Sequence, residues 1–208
     1  MKDYFAEINQ NFENTLVEGN YPQPNALQQA ILKRIKQGGD LLVIAPQGSG
    51  KTYGAILSSL MKCPQPQEGS PRVIIMTNDN DEVVENTKKL THITRRKDLM
   101  IEAANDKGKI VRQRVFIFQG ADMVLGSAKR IYDLYIQNGV NLNMLNLLIL
   151  DNPDKFLTDK AMGEMIRIAE GLPKCQRIFL VEEITPRVER LMSHFLVNPL
   201  VIDEKAKD

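Results

Sequence analysis

The sequence predicts an α/β fold in which a mainly parallel β-sheet carries helices on both faces. Two observations lead to this prediction. Apolar runs of strand length alternate along the chain with amphipathic stretches of helix length, and the apolar runs are hydrophobic at consecutive positions. A strand that is apolar on both faces must be covered on both sides, as crossover helices cover a parallel sheet.

The individual elements follow from the same periodicities. Strands are predicted over residues 40–45, 72–77, 122–125, 145–151, 177–181 and 200–202. Helices are predicted over residues 26–36, 52–61, 80–90, 128–137, 159–170 and 186–196. The segment 100–118 is ambiguous, because residues 115–118 are typical of a strand whereas residues 106–114 fit a helix equally well.

Length and composition limit the class of protein. The 208 residues suit one domain, and we expect an N-terminal extension over residues 1–20 and the domain itself over residues 21–208. The formal net charge of +1 argues against a positive potential over the whole protein that would attract nucleic acid. Cys63 and Cys175 lack metal-ligand spacing and suit a reducing compartment. Since no long apolar run or signal-peptide pattern occurs, we expect a soluble intracellular protein without membrane association.

A phosphate-binding loop is the strongest motif of the chain. Residues 45–52 read Ala-Pro-Gln-Gly-Ser-Gly-Lys-Thr, with alanine in place of the usual first glycine, between a predicted strand and a predicted helix. Glycines at positions 48 and 50 let backbone N–H groups face phosphate oxygens. Lys51 adds a positive charge, and the Thr52 hydroxyl is a ligand for Mg²⁺. The structural alternative is a glycine-rich turn that binds no ligand. The predicted nucleotide-binding residues of this loop are Gln47, Gly48, Ser49, Gly50, Lys51 and Thr52.

A second acidic element follows the apolar run 147–150. Asp151 ends this predicted strand, where a carboxylate has little structural reason to be, and we predict that it orients Mg²⁺ together with Thr52. The structural alternative is a cap of the turn that Asn152 and Pro153 begin. Asn152 itself cannot act as a base toward the water that attacks ATP.

The order and spacing of several motifs resemble the N-terminal RecA-like domain of DEAD-box RNA helicases, over nearly the whole chain. Residues 21–28, which read Tyr-Pro-Gln-Pro-Asn-Ala-Leu-Gln, resemble the adenine-reading motif of that family. The resemblance implies that Tyr21 stacks on adenine and that Gln28 hydrogen-bonds its edge. Asp151 and Asp154 match the outer aspartates of Asp-Glu-Ala-Asp, and residues 126–130 stand where the family has Gly-Thr-Pro-Gly-Arg. A RecA-like fold of the phosphate-loop NTPase class is therefore expected, with ATP or ADP and Mg²⁺ as cofactors.

The departures from the family pattern affect the motifs that the family uses for ATP hydrolysis and for its coupling to RNA. Asn152 replaces the catalytic glutamate, and Val-Glu-Glu over residues 181–183 replaces Ser-Ala-Thr. Thr-Asn-Asp-Asn-Asp over residues 77–81 replaces the arginine-bearing RNA motif Pro-Thr-Arg-Glu-Leu. No catalytic residue is therefore certain, and Asp151, Asn152 and Asp154 are the candidates at the acidic strand end. The family's second RecA-like domain is not part of this sequence, which fits either a fragment of a longer helicase or a stand-alone protein.

Local positive charge is the remaining argument for RNA binding. Two short groups are the candidates for sequence-independent phosphate contacts, although a solvated protein face explains them equally well. They comprise Arg95, Arg96, Lys97, Lys129 and Arg130.

Three functional interpretations stay open. The first is a helicase-like domain that binds ATP and RNA, with impaired hydrolysis and unwinding. The second is a pseudo-helicase scaffold that binds a protein partner without nucleotide-dependent activity. The third, a small-molecule phosphotransferase, is weaker because no arginine-rich lid segment follows the loop. A protein partner or a second RecA-like domain is expected for the first two.

Overall fold

The computed structural model describes residues 3–204 and contains a seven-stranded sheet in which every pairing is parallel. The strands are β1 (Leu41–Ile44), β2 (Val73–Thr77), β3 (Ile101–Ala104), β4 (Met123–Ser127), β5 (Leu147–Asp151), β6 (Gln176–Val181) and β7 (Leu200–Asp203). Their spatial order is β3-β4-β2-β5-β6-β1-β7. The prediction of an α/β fold with a parallel sheet is confirmed.

Nine α-helices connect or precede these strands within the described residues. They are α1 (Tyr4–Asn11), α2 (Thr15–Glu18), α3 (Ala26–Gln37), α4 (Lys51–Lys62), α5 (Asn80–Thr94), α6 (Ile110–Phe118), α7 (Ala128–Ile136), α8 (Asp159–Glu170) and α9 (Pro186–Phe195). A short 3₁₀ turn, Pro153–Lys155, follows β5. None of the described helices is long and apolar enough to cross a bilayer.

The core is divided into two layers by the sheet. Successive strand residues alternate between the layers: Leu41 and Val43 pack with helices α1 to α5, whereas Leu42 packs with α6 to α9. This alternation is the two-residue period of a β-strand, and both sets are apolar because both faces are covered. The central strands are therefore fixed from two sides, which gives the loops at their carboxyl ends a rigid base.

The segment predicted as an N-terminal extension packs into the core of the domain. Phe5, Ile8, Phe12 and Leu16 are all buried and contribute to the layer that also contains α3 and α4. Full burial of side chains of this size contributes roughly 1.5–3 kcal/mol each. Helices α1 and α2 thus contribute to the same core as α3 and α4 and help to stabilise it.

The segment 100–118, ambiguous from the sequence, contains no strand at residues 115–118, because these residues form the last turn of α6. Their β-branched and aromatic composition favours a strand locally. However, β3 and β4 are parallel neighbours, and a parallel pair requires a crossover connection between its strands. Topology therefore overrides local preference, and residues 101–104 form the strand instead.

Candidate nucleotide-binding site

The phosphate loop connects β1 to α4 at the carboxyl edge of the sheet. Gly48 and Gly50 have φ angles of +80° and +89°, in the left-handed region that glycine adopts without steric cost. Gly50 is also the N-cap of α4, and a Cβ atom there would collide with the side chain of Gln28. Gln47 and Gly48 are exposed at the tip of the loop, while Ser49 is half-buried. The loop therefore has the turn geometry and the helix N-terminus that an anion site requires.

The Lys51 side chain lies inside this loop. Its Nζ atom donates hydrogen bonds to the carbonyl oxygens of Ala45 at 2.5 Å and Pro46 at 2.9 Å, and the residue is only 5% exposed. Burial lowers the pKa of Lys51, an effect that the nearby carboxylates of Glu182 and Asp151 partly offset. The ammonium group is thus held by neutral carbonyls, which an anionic phosphate could replace as a stronger partner.

A hydrogen bond joins the phosphate loop to the acidic strand end. The Thr52 hydroxyl donates to Asp151 Oδ2 at 2.6 Å, and Asp151 is 1% exposed at the end of β5. The other carboxylate oxygen, Oδ1, is buried and has no hydrogen-bond partner among residues 3–204. Hydroxyl and carboxylate oxygens are the ligands that Mg²⁺ prefers. The unpartnered acceptor beside Thr52 therefore fits the predicted metal site.

Burial raises the pKa of Asp151 to about 6, against the opposing influence of the Thr52 hydrogen bond. Glu82 adds a like charge, whereas Lys51 and Lys155 lower the pKa. A carboxylate in this environment is stabilised by any cation that approaches it. This electrostatic situation favours binding of a metal ion at the end of β5.

The amide of Gln28 is already engaged at both ends. Oε1 accepts a hydrogen bond from the Asn25 backbone N–H at 2.9 Å, within a capping box at the start of α3. Nε2 donates to the Gly50 carbonyl at 3.0 Å, and Asn25 Nδ2 donates to the Ser49 carbonyl at 2.9 Å. The segment around Gln28 thus contacts the phosphate loop directly, while each end of the Gln28 amide keeps one further hydrogen-bonding position.

Tyr21 lies at the edge of the site, close to α5. Its hydroxyl is 3.2 Å from His92 Nδ1, and the two rings have a centroid distance of 6.0 Å. Tyr53, in the first turn of α4, donates a hydrogen bond from its hydroxyl to the Pro22 carbonyl at 3.0 Å. These contacts hold the segment before α3 against α5, through Tyr21, and against the first turn of α4, through Tyr53.

Asn152 and Asp154 lie just beyond β5. Asn152 adopts a left-handed conformation, with φ 52° and ψ 53°, and its backbone N–H donates to the Leu180 carbonyl at 2.8 Å. Burial raises the pKa of Asp154, and the negative charge of Glu182 raises it further. Asp151, Asn152 and Asp154 are therefore brought together with Lys51 and Thr52 at one edge of the sheet.

One ion pair of the site was not predicted from the sequence. Lys155 Nζ lies 2.6 Å from Glu182 Oε1, which joins the turn after β5 to the residue after β6. The hydrogen bond to Glu182 raises the pKa of Lys155. Glu182 stands in the segment that replaces Ser-Ala-Thr, and its charge also acts on Lys51 and Asp154.

The five residues predicted to contact RNA do not share one surface. Arg95, Arg96 and Lys97 follow the C-terminal end of α5 and precede β3, at the amino edge of the parallel sheet. Lys129 and Arg130 follow β4, at the carboxyl edge that also carries the phosphate loop. The structure thus separates the candidates into two groups at opposite edges.

The group at the amino edge is paired with the N-terminal segment. Arg96 Nη2 lies 2.8 Å from Glu18 Oε2, and Arg96 Nη1 donates to the Glu13 carbonyl at 2.7 Å. Arg95 lies 3.7 Å from Glu18, and Lys97 lies 3.6 Å from Glu13. Exposed ion pairs of this kind contribute little to stability, but their glutamate carboxylates compete with other anions for the same cations.

The group at the carboxyl edge is tied to Asp106, in the loop after β3. Arg130 is 9% exposed and donates from Nη2 to the Asp106 carbonyl at 2.9 Å. The Ser127 hydroxyl donates to Asp106 Oδ2 at 2.8 Å. Lys129 is exposed, although its Nζ lies 2.6 Å from Asp133. Of the two RNA-contact candidates at this edge, Lys129 is exposed and Arg130 is buried.

The fold and the site together define a phosphate-loop NTPase domain of the RecA-like class. A family model described as DEAD/DEAH box helicase matches residues 25–181, and the chain belongs to this family. In the structural comparison, S. cerevisiae Dbp5 bound to Gle1 and IP6 superposes with a TM-score of 0.81. That alignment covers 98% of this chain and 52% of the other at 16% sequence identity, which supports the RecA-like fold.

Curated relatives match over most of this chain but over half or less of their own length. The ATP-dependent RNA helicase DbpA of Bacillus subtilis is 26% identical over 189 residues, which cover 89% of this chain and 39% of DbpA. The ATP-dependent RNA helicase eIF4A of Debaryomyces hansenii is 24% identical over 198 residues, which cover 92% of this chain and 49% of eIF4A.

Proposed function

We propose that this chain is an ATP-binding domain of the DEAD-box type that holds ATP or ADP with Mg²⁺ and hydrolyses ATP poorly. The hydrogen bond between Thr52 and Asp151 carries this proposal, because it joins the phosphate loop to the acidic strand end. The two relatives described above are both named as ATP-dependent RNA helicases. Lys51, buried beside this bond, supplies the positive charge for the phosphates.

Each part of the nucleotide would have its own group of residues. The backbone of residues 47–50, Lys51 and Thr52 would bind the phosphates, and Tyr21 and Gln28 would bind adenine. Thr52 and Asp151 would hold Mg²⁺, which offsets phosphate charge when it is bound. Because the Gln28 amide bonds to the Gly50 carbonyl, we propose that adenine recognition is linked to the conformation of the phosphate loop.

Impaired hydrolysis is proposed from Asn152 and Glu182. An amide at position 152 cannot take a proton from the attacking water at neutral pH. The ion pair between Glu182 and Lys155 fixes the segment that replaces Ser-Ala-Thr, which the family resemblance associates with coupling to RNA. We propose weak RNA contact at the carboxyl edge and a second RecA-like domain or another protein as the partner.

A pseudo-helicase scaffold is the second candidate function. The contacts within the site favour this function, because the side chains of Lys51, Gln28 and Lys155 all bind partners within the protein. In this case the domain would act as a rigid docking unit, and the nucleotide site would stay closed.

Nucleotide binding decides between the two candidates. Calorimetry with ATP and ADP, each with and without Mg²⁺, should show Mg²⁺-dependent binding at millimolar concentration or below. Lys51→Ala should weaken binding at least about tenfold, because it removes a charge-assisted contact with phosphate. Lys62→Ala, at the far end of the same helix, is the matched control and should bind as the wild type does. Absence of binding in the folded wild-type protein would support the scaffold.

Adenine specificity is tested in the same way with GTP. If Gln28 reads adenine, GTP should bind more weakly than ATP, and Gln28→Ala should reduce that difference. Equal affinity for the two nucleotides in the wild-type protein would contradict the role proposed for Gln28.

A further inference from the structure

Helix α6 has an unusual distribution of polar and apolar side chains. On its inner side, Gln113 and Ile117 are buried, and Gln113 Nε2 donates a hydrogen bond to the Asn105 carbonyl at 2.9 Å. On its outer side, Val111 is 71% exposed, Val115 is 48% exposed and Phe118 is 85% exposed. A glutamine is therefore inside while two valines and a phenylalanine face solvent, which is the reverse of the usual arrangement.

The three exposed side chains form one continuous line, which we call the α6 stripe (Val111, Val115 and Phe118). Their spacing of four and then three residues places them on the same face of a helix. Phe118, at the end of the stripe, separates two surface depressions with volumes of about 580 and 600 Å³. A protruding aromatic residue between two hollows suits a partner whose own side chains fill those hollows.

The charge around the stripe indicates the chemistry of that partner. At 3.6 residues per turn, Arg114 lies on one side of the stripe and Arg112 lies on the other. Lys109 precedes the helix, and α6 contains no acidic residue. The Arg112 guanidinium lies over the Phe116 ring at 5.2 Å, on the side of α6 opposite Arg114.

We propose that the α6 stripe docks an acidic amphipathic helix of a partner protein. Apolar residues of the partner would cover Val111, Val115 and Phe118, and its flanking carboxylates would lie beside Arg112 and Arg114. A second copy of the chain fits less well, because face-to-face contact through α6 would bring four arginines together. This docking is independent of the nucleotide site, since α6 follows β3 at the far edge of the sheet.

A display library of random amphipathic helical peptides tests the proposal with the full chain as bait. We expect the enriched peptides to share apolar residues at helical spacing and a negative net charge. A variant with Val111→Ser, Val115→Ser and Phe118→Ser should lose at least about tenfold in affinity for them, as loss of an interface anchor does. Val197→Ser is the matched control, because Val197 is 67% exposed and precedes the opposite edge strand β7.

A second variant tests the charge argument with the apolar stripe intact. Arg112→Glu with Arg114→Glu should reverse the preference from acidic to basic peptides. The proposal is overturned if no peptide is enriched, if the wild type selects basic peptides, or if the serine variant binds the enriched peptides equally well. A dimer by sedimentation that the serine variant loses would assign the face to a second copy, and loss of RNA binding in that variant would assign it to nucleic acid.

Discussion

The Thr52 hydroxyl and the Asp151 carboxylate are hydrogen-bonded at 2.6 Å, although 99 positions separate them in the sequence. This bond connects the first turn of α4 to the end of β5, two elements whose positions are set by the central strands. Its acceptor is a buried carboxylate whose pKa is raised to about 6, so the site and the stability of the fold are coupled through the charge of Asp151.

Asp151→Asn should stabilise the protein at neutral pH. The folded-state pKa of about 6 exceeds the ordinary value of 3.8, so ionisation of Asp151 disfavours the folded state. This penalty is absent below pH 3.8 and complete above pH 6. A shift of this size corresponds to roughly 3 kcal/mol as an upper limit, since one pKa unit is about 1.4 kcal/mol. Urea denaturation should therefore show a gain of about 1–3 kcal/mol for Asp151→Asn at pH 7.5 that disappears near pH 4.

Glu68→Gln is the control for this prediction, because Glu68 is exposed in the loop before β2. It should leave the unfolding free energy nearly unchanged at both pH values. If Asp151→Asn instead lowers stability at pH 7.5, the hydrogen bond from Thr52 to the carboxylate outweighs the desolvation of Asp151.

Binding of Mg²⁺-nucleotide should weaken as pH falls through 6. The proposed metal ligand Asp151 must be ionised, and a group with a pKa of about 6 changes from mostly ionised at pH 7 to mostly protonated at pH 5. The affinity should therefore fall about tenfold over this interval. Calorimetry at several pH values measures the effect, and Asp151→Asn shows how much of the dependence belongs to the nucleotide itself. An identical pH profile in the two proteins would contradict a role for the Asp151 carboxylate.

Asn152→Glu should not restore ATP hydrolysis, with or without RNA, and should reduce stability. Asn152 has a φ of 52°, a left-handed conformation that asparagine tolerates better than glutamate does. The substitution should cost about 1 kcal/mol of unfolding free energy, whereas Asn152→Gly should cost little. A phosphate-release assay and urea denaturation on the three proteins give both readouts. RNA-stimulated turnover by the wild type that Lys51→Ala abolishes would show that the assignment of impaired hydrolysis is wrong.

The sequence predicted those features that depend on continuous segments. The parallel sheet follows from apolar runs, and the phosphate loop follows from residues 45–52, in which chemistry and turn geometry are encoded together. The contact between Lys155 and Glu182 has no such local pattern, because it forms only when β5 and β6 become neighbours. Likewise, the pairing of Glu18 with Arg96 depends on how α2 packs against α5.

The structure also changes what is expected of the basic group at the amino edge. Arg95, Arg96 and Lys97 are paired with Glu13 and Glu18, so we expect little RNA binding through them in the wild-type protein. Neutralising these three residues together should therefore change the salt dependence of RNA binding by less than about one phosphate contact.

Releasing this basic group should have the opposite effect. Glu13→Gln with Glu18→Gln removes the carboxylate partners of the three cations and should steepen the logarithmic salt dependence by up to about three phosphate contacts. Fluorescence anisotropy with a short single-stranded RNA at two salt concentrations measures both sets of variants, and Lys129→Ala tests the group at the carboxyl edge. If neutralising the basic group in the wild-type background already removes two or more contacts, RNA displaces Glu13 and Glu18, and the ion pairs at the amino edge do not block that surface.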